Sequence, residues 1–418
     1  MKKSLIALAA LAAVSAASAQ SSVTLYGLVD IGYGSQKSES RSGAGAVSLR
    51  SSGVMDGANA GNRIGFRGVE DLGGGLKANF VIEQGINPTG GGLFAGRAAT
   101  AAQQVAYPAG IPGIGNPGLN GAIPNVNAIS PSTNRQSYLG LSSASLGTVN
   151  FGYTYNNLYE LSTLSGYNLG TEGIPGAATS HVFGSSYLGG TRSNGITYIS
   201  PVIAGGFTVR AQVGAVGANM ETNNIVVGGL TTPNNGKRYS LMGQYANGPL
   251  SASVAYTNAR FNTSAGTLLG QNTSSVSRSG SLTQLGASYD FGVAKLAGTY
   301  NTGRDGGIGA ANFGAPAGTN TAYRSYQVGV SAPFGAFVPF ITFGRASATA
   351  TTPGGLSGKV IDIKQTQIGV RYSLSKRTTV YAFIGNATDN AAQDVNIPAA
   401  ANSVYKDKKS IVGVAHAF

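Results

Sequence analysis

The stretch VTLYGLVDIGY, residues 23–33, alternates between two kinds of side chain along its whole length. Alternate positions carry Val23, Leu25, Gly27, Val29, Ile31 and Tyr33, and the positions between them include Thr24, Tyr26 and Asp30. A period of two residues predicts a β-strand with one apolar and one more polar face. Strands of soluble proteins average about 5–6 residues, whereas a tilted strand needs about 9–11 residues to cross a membrane. The length of this stretch therefore favours the wall of a membrane barrel.

The same alternation recurs to the end of the chain and predicts sixteen strands of about ten residues each. The predicted strands cover residues 23–34, 61–70, 75–84, 134–142, 147–156, 192–200, 206–215, 237–246, 250–260, 281–290, 293–302, 322–331, 335–346, 361–372, 378–387 and 408–418. Long and short connections alternate between them, and the short ones carry Gly, Pro, Asp and Asn, which suit tight turns. The pattern predicts an all-β fold, a 16-stranded antiparallel transmembrane β-barrel with short periplasmic turns and long external loops. No helix is predicted.

Two features of the chain bear on other interpretations. A soluble β-solenoid or Gly/Ser-rich adhesin would show short strands at a fixed repeat period, and the sequence has no such period. The connection at 85–133 contains six prolines among many Gly and Ala residues. This connection is either a surface loop or a latch onto a neighbouring subunit.

The amino terminus has the pattern of an export signal. Lys2 and Lys3 precede an apolar run at 5–14, and residues 17–19 (ASA) form a cleavage pattern. Ten apolar residues are too few to span a bilayer core of about 30 Å as a helix. We expect removal of residues 1–19 as a signal peptide, which leaves residues 20–418 as a single barrel domain and lowers the formal net charge from +13 to +11 by removing two lysines.

The composition excludes several kinds of site. The chain has 418 residues, no Cys, two His and only 10% charged residues, with a mean hydropathy of +0.04. Without Cys there is no thiolate metal site or disulfide scaffold, and we expect no cofactor. Catalysis would need a base beside a nucleophile, and only His181 and His416 could serve, so we expect no enzyme activity. The basic residues form no Lys/Arg run, which argues against a nucleic-acid partner.

Four segments carry a resemblance to a known family. They are SSVTLYGLVD at 21–30, GFRGVEDLGGGLKANFVIE at 65–83, LSKRTTVYAFIG at 374–385 and VGVAHAF at 412–418. Together they resemble the general diffusion porins of Gram-negative bacteria, of the β-proteobacterial and neisserial type. The resemblance implies a homotrimer in the outer membrane, surrounded by lipid and lipopolysaccharide, with loop 3 at 157–191 folded into the lumen. It also implies that Phe418 belongs to the signal that the barrel-insertion machinery reads.

The resemblance further implies a pore constriction built from arginines that flank the infolded loop. The matching residues are Arg63, Arg135 and Arg192, with Arg67 in second rank, and the acids of loop 3 are Glu160 and Glu172. Simple alternation places Arg135 on the face of Leu139 and Leu141, so an inward Arg135 requires a twist or bulge at the strand end.

Alternation also assigns other charged residues to the lumen, since an Arg or Lys on the lipid face at mid-membrane would cost about 2–4 kcal/mol. The further lumen-facing residues predicted are Lys77, Glu83, Arg238, Lys295 and Arg371, with Asp30 as a second inward acid. Basic residues dominate this set, which favours a channel that attracts anions. The alternative is that they pair with loop carboxylates and only line a wet wall.

The sequence therefore predicts an outer-membrane channel for passive diffusion of small hydrophilic solutes and ions, with anionic or neutral solutes preferred. One alternative is a substrate-specific porin whose binding site lies in loop 3 and the 85–133 connection. Another is a non-conducting outer-membrane adhesin or structural barrel that uses its long loops for partner contact.

Overall fold

The structure is a computed structural model that describes residues 22–42, 45–89, 134–165, 192–215, 224–227, 230–233, 237–268, 271–305, 320–390 and 404–418. Its strands are β1 (Ser22–Ser42), β2 (Gly45–Asp56), β3 (Arg63–Gly73), β4 (Leu76–Gly85), β5 (Asn134–Ser143), β6 (Gly147–Tyr155), β7 (Arg192–Ile199), β8 (Phe207–Ala215), β9 (Asn224–Val227), β10 (Leu230–Pro233), β11 (Lys237–Asn247), β12 (Leu250–Leu268), β13 (Gln271–Asp290), β14 (Lys295–Asp305), β15 (Asn320–Ser331), β16 (Phe337–Thr351), β17 (Ser357–Ser373), β18 (Thr378–Asp389) and β19 (Val404–Ala417). Helix α1 (Asn157–Ser165) follows β6. The predicted signal peptide, residues 90–133 of the proline-rich connection and Glu172 lie outside the described residues.

The strands close into a ring. Antiparallel pairs run in order from β3 to β8, continue from β11 to β19, and end where β19 pairs with β1. Because β1 pairs with β3 over residues 22–28 and with β2 over residues 31–42, β2 and β3 share one position in the wall. Because β9 and β10 form a separate two-stranded sheet, the wall has sixteen strand positions. The predicted 16-stranded antiparallel barrel is confirmed.

The observed strands differ in length from the predicted ones mainly at the end of the barrel that carries the long connections, which we call the loop end. β1 continues to Ser42 and forms a hairpin with β2 inside the predicted connection at 35–60. β12 and β13 fill most of the predicted connection at 261–280 in the same way, and β9 and β10 lie inside the one at 216–236. These segments are rich in Ser, Thr, Asn and Gly, and strands that rise beyond the apolar layer need no apolar face. The polar composition of these segments is therefore the reason that the sequence pattern assigned them to connections.

Side chains in the wall alternate as the periodicity predicts. On β11, Tyr239 and Leu241 are exposed on the outer face, whereas Ser240 and Met242 are buried on the inner face. The outer face is apolar on neighbouring strands as well, with Val254, Leu285, Tyr300, Val328, Phe343 and Ile368 all exposed. A continuous apolar outer surface of this kind requires lipid as its solvent, while the polar inner surface suits water.

Helix α1 lies against the inside of the wall, and the expectation of no helix was wrong. Asn156 caps its start, since its Oδ1 atom accepts a hydrogen bond of 2.8 Å from the backbone N–H of Tyr159. Leu158 and Leu161 are buried against inward apolar residues of the wall, which include Met242, Ala255, Ala259 and Leu282. Nine residues are too few for a stable isolated helix, so packing against the wall stabilises it. The predicted infolding of loop 3 is confirmed over these residues.

None of the described residues belongs to a helix long and apolar enough to cross a membrane.

A second inward segment joins β2 to β3 at residues 57–62. The carboxylate of Asp30 accepts hydrogen bonds from the backbone N–H groups of Asn59 (2.6 Å) and Ala60 (2.7 Å) and from the hydroxyl of Tyr381 (2.5 Å). Asp30 is fully buried by these contacts. Although it points inward as predicted, its charge therefore holds the segment in place and does not line the open channel.

Candidate functional site

The carboxylate of Glu83 on β4 contacts the first group of charged residues. Glu83 lies on the inner face, 5% exposed, and its Oε1 atom is 2.5 Å from Nε of Arg135 on β5. Its Oε2 atom accepts a hydrogen bond of 3.1 Å from the hydroxyl of Tyr26 and lies 3.7 Å from Nε of Arg63. Both oxygens of Glu83 are thus engaged, and two guanidinium groups converge on one acid.

A break in strand pairing lets Arg135 reach Glu83. In the β4–β5 pair, Glu83 faces Gln136 and Gln84 faces Asn134, so Arg135 is an extra residue between the two rungs. An extra residue of this kind is a β-bulge, which redirects a side chain that regular alternation would send to the other face. The bulge thus lets Arg135 depart from the alternation of its strand.

Tyr155, the last residue of β6, connects the next two arginines. Its hydroxyl accepts hydrogen bonds from Nη2 of Arg135 (2.8 Å) and from Nη2 of Arg192 (3.0 Å). The guanidinium carbon of Arg192 also lies 4.4 Å from the centre of the Tyr155 ring. On its other side this ring stacks on Tyr159 of α1, with 4.3 Å between ring centres. Tyr155 therefore links the arginines to the infolded helix, a role that the sequence pattern does not indicate.

Arg210 on β8 is a further arginine of this group, and the sequence pattern did not single it out. Its Nη1 atom lies 3.1 Å from Oε1 of Glu160 in the first turn of α1, and its Nη2 atom donates a hydrogen bond of 2.9 Å to the backbone carbonyl of Tyr155. The backbone carbonyl of Arg210 in turn accepts a hydrogen bond from Asn157. These contacts tie the start of α1 to the wall. We call Arg63, Arg135, Arg192 and Arg210, with Glu83 and Glu160, the arginine cluster.

Three of the predicted residues lie nearer the short turns. Arg67 is exposed on the face of Arg63, with its guanidinium carbon 5.2 Å from the centre of the Tyr26 ring. Lys77 is exposed at the start of β4, directly opposite Asp71. Lys295 occupies the matching place on β14, where it is exposed on the face of buried Ala297. The structure therefore does not bring these three into the arginine cluster.

Arg371 on β17 and Arg238 on β11 also face inward, outside the arginine cluster. Arg371 donates a hydrogen bond of 3.1 Å to Asn59 and lies over the Phe340 ring at 4.6 Å, so the 57–62 segment and an aromatic side chain hold it. Arg238 is fully buried, and its guanidinium nitrogens have no hydrogen-bond partner among the described residues.

The carboxyl terminus closes the ring. The backbone N–H of Phe418 donates to Gly27 O, and the N–H of Gly27 donates to Phe418 O, each at 3.1 Å. The aromatic ring lies where a side chain at position 27 would stand. A glycine opposite the terminal residue therefore makes room for the ring on the outer face. In the part of the chain that the structure describes, no three His, Asp or Glu side chains are grouped to hold a metal ion.

Comparisons with known proteins agree with this architecture. The family model of the Gram-negative porins matches residues 7–392. Outer membrane porin protein 32 of Delftia acidovorans is 31% identical over 434 aligned residues, which cover 100% of both chains. The anion-selective porin from Comamonas acidovorans matches with a TM-score of 0.61 at 23% identity, covering 96% of this chain and 100% of its own. The trimer form of OmpT from Vibrio cholerae matches with a TM-score of 0.58 at 13% identity, covering 95% of this chain and 99% of its own.

The family match extends over most of the chain, and one relative matches it from end to end. The two solved structures share the fold of a closed barrel. Together with an apolar outer wall and a polar, arginine-bearing inner wall, these findings confirm the resemblance drawn from the sequence. The chain belongs to the Gram-negative porin family, and it forms an outer-membrane barrel with a water-filled channel for the passive diffusion of small hydrophilic solutes.

Proposed function

We propose that the channel prefers anions and that the arginine cluster, together with α1, forms its narrowest part. The observation that supports this proposal most strongly is the excess of positive side chains in the cluster. It contains four guanidinium groups and two carboxylates, and each carboxylate lies in an ion pair. The net charge of the cluster is therefore positive.

A positive group in a confined passage acts on every ion that enters. Water in a narrow channel screens charge less well than bulk water does, so cationic walls raise the local concentration of anions and lower that of potassium. Because the guanidinium group stays charged at every physiological pH, the preference should not depend on pH in that range. Neutral hydrophilic solutes would pass according to size.

The relatives support an anion-preferring channel over the other channel types. The solved Comamonas acidovorans barrel is described as anion-selective, and the chain shares its fold over nearly its whole length. A positive cluster beside an infolded helix would produce the same behaviour here. Neither a substrate-specific porin nor a non-conducting adhesin gains support from a particular feature of the described residues.

The proposal extends to maturation and assembly. Residues 1–19 would be removed on export, residues 20–418 would form one barrel domain, and Phe418 would contribute to recognition by the insertion machinery. Three barrels would associate, as in the trimer form of OmpT, with lipid and lipopolysaccharide around the trimer. Native mass spectrometry of the detergent-extracted protein tests the trimer directly, because a mass of one barrel would contradict it.

Single-channel recording tests the pore. In a planar bilayer with a KCl gradient, we expect open-channel steps and a permeability to chloride above that to potassium. Arg63→Ala should reduce this ratio, because it removes a positive charge from the cluster. Lys376→Ala, in the exposed turn between β17 and β18, is the matched control and should leave the ratio unchanged. A ratio that Arg63→Ala leaves at the wild-type value would refute the role of the cluster, and a barrel without open-channel steps would refute the channel.

A further inference from the structure

Residues 57–62, between β2 and β3, enter the lumen on the side opposite to helix α1, and we call them the inward segment. Ala58 of this segment is buried in a cluster with side chains of β16, β18 and β19. Helix α1, in contrast, packs on the β12 residues Ala255 and Ala259. Counted around the ring of sixteen positions, with β2 and β3 as one position, β12 lies eight positions from β1. Two inserts therefore narrow the lumen from opposite sides of the wall.

The arginine cluster occupies the arc of wall between the two inserts. At one end, Nη1 of Arg63 donates a hydrogen bond of 3.2 Å to the backbone carbonyl of Gly61 in the inward segment. At the other end, Arg210 lies 3.1 Å from Glu160 of α1. Direct contacts through the cluster join these two ends. The inward segment therefore lies at the level of the proposed narrowest part of the channel.

Asp30 on β1 holds both ends and the middle of the inward segment. Its backbone carbonyl accepts a hydrogen bond of 2.9 Å from the N–H of Gly57, and its backbone N–H donates one of 2.5 Å to Oδ1 of Asn62. Its Oδ2 atom accepts hydrogen bonds from the N–H groups of Asn59 and Ala60, at 2.6 and 2.7 Å. Because only the two contacts to Oδ2 depend on the side chain, a substitution at this position removes the hold on the middle of the segment.

The inward segment also positions two cations of the lumen. The carbonyl of Gly61 accepts the hydrogen bond from Arg63, and Oδ1 of Asn59 accepts one of 3.1 Å from Nε of Arg371 on β17. Asn59, Ala60 and Gly61 are themselves only half-buried, so part of their surface faces the lumen. A shift of the segment would therefore change the width of the passage and the positions of both guanidinium groups.

We propose that the inward segment is the second wall of the narrowest part of the channel and that Asp30 is the residue that positions it. Helix α1 bounds the passage on one side, and the inward segment bounds it on the other and limits the size of the solutes that pass. A carboxylate suits this role, since one charged oxygen accepts two backbone N–H groups and makes both hydrogen bonds stronger. This inference rests on the proposed place of the narrowest part, and it does not depend on which ion the channel prefers.

The size of the uncharged polymers that enter the channel tests the proposal. Polyethylene glycols that fit into an open channel lower its conductance, so a series of increasing mass gives an exclusion size. Asp30→Ala leaves two backbone N–H groups without their acceptor, so the segment should move away from its place. We expect a higher single-channel conductance and an exclusion size shifted to larger polymers. The wild-type exclusion size in a conducting Asp30→Ala channel would overturn the proposal.

Two further variants separate positioning from a loss of stability. Asp30→Asn keeps an oxygen that can accept both N–H groups, and it should restore the wild-type exclusion size. Tyr381→Phe removes the hydrogen bond to the other oxygen, Oδ1, and none from the inward segment, so it should also keep that size. If either channel admits polymers as large as those that Asp30→Ala admits, the assigned role of Oδ2 is wrong and the proposal fails.

A thiol placed in the inward segment tests its position directly, because the chain contains no cysteine. Ala60→Cys should react with a methanethiosulfonate reagent that carries a bulky uncharged group, and the adduct should lower the single-channel conductance. Lys376→Cys, in the exposed turn between β17 and β18, is the matched control and should be labelled without a change in conductance.

The thiol experiment decides the question even if Asp30→Ala fails to fold. A thiol at position 60 that the reagent does not reach, or one that is fully labelled by mass while the conductance stays the same, would overturn the proposal. Both experiments use uncharged probes. A wild-type channel that prefers potassium would therefore contradict the proposed selectivity alone, whereas an unchanged exclusion size would contradict the second wall alone.

Discussion

The Nε atom of Arg135 lies 2.5 Å from Oε1 of Glu83, although regular alternation from Leu139 would direct Arg135 toward lipid. One extra residue in β5 makes the difference, because the bulge changes the face to which the side chain points. The contact joins two adjacent strands at the place where loop 3 enters the barrel. The charge of the proposed pore thus depends on an irregularity of the wall.

Replacing Glu83 by Gln should increase the preference for anions. The change removes one negative charge from beside Arg63 and Arg135 while it keeps the size of the side chain. We expect the ratio of chloride to potassium permeability to rise by about two- to fivefold, the effect of one charge a few ångströms from the ion path. The same recording on Glu70→Gln, an exposed acid near the short turn, should give the wild-type ratio. A fall in the ratio for Glu83→Gln would show that this acid does not offset the arginines.

The ion pair between Arg210 and Glu160 should couple helix α1 to the wall. Both side chains are mostly buried, with 12% and 24% exposure, so the pair is screened less than a surface pair. A double-mutant cycle with Arg210→Met and Glu160→Gln should give a coupling free energy of about 1 kcal/mol or more in urea unfolding. The pair Lys37–Glu39, with 39% and 42% exposure, is the control and should give less than about 1 kcal/mol. Equal coupling in the two cycles would contradict an anchoring role for Arg210.

The wall of the barrel could be predicted from the sequence because its physical rule is simple. Lipid outside and water inside impose a period of two on each strand, and that period placed all sixteen wall positions. Arg210 follows the same rule, since it alternates with exposed Val209 and lies on the face of buried Gln212, so its inward position could have been read from β8. Arg135 could not be placed by that rule alone, because a bulge at a strand end has no signature in the pattern.

Gly152 in β6 should resist substitution. Its φ angle is +134°, which L-residues rarely adopt, and a Cβ atom there would meet the backbone carbonyl oxygen of Ser137 on β5. Gly152→Ala should lower the free energy of unfolding by about 1–3 kcal/mol. Gly53→Ala is a matched control, since a Cβ atom there meets nothing within 4 Å, and it should change stability little. Urea unfolding of both variants checks this, and equal midpoints would contradict the backbone strain.

The two faces of β11 and β12 should respond differently to a new charge. Val254 is 47% exposed on the outer face, whereas Gln244 faces the lumen from the neighbouring strand. Val254→Arg should reduce the free energy of folding into lipid vesicles by about 2–4 kcal/mol, because it places a charge in hydrocarbon. Gln244→Arg should cost much less, since its side chain can reach water. Equal losses would contradict the assignment of faces.

Helix α1 and Tyr155 illustrate what local sequence does not show. The helix is stable because Leu158 and Leu161 meet an inward apolar patch formed by strands that lie about a hundred residues later in the chain. Tyr155 ends its strand, where alternation no longer applies, and its partners Arg135 and Arg192 come from two other strands. Contacts of this kind depend on the closed barrel and become visible only in three dimensions.

The zero-current potential of the wild-type channel across a KCl gradient tests the central claim most directly. If the arginine cluster sets the selectivity, chloride crosses faster than potassium, and the dilute side becomes electrically negative relative to the concentrated side. The measurement needs no variant and no assumption about loop 3. A dilute side that becomes positive would show that potassium crosses faster and would contradict the account.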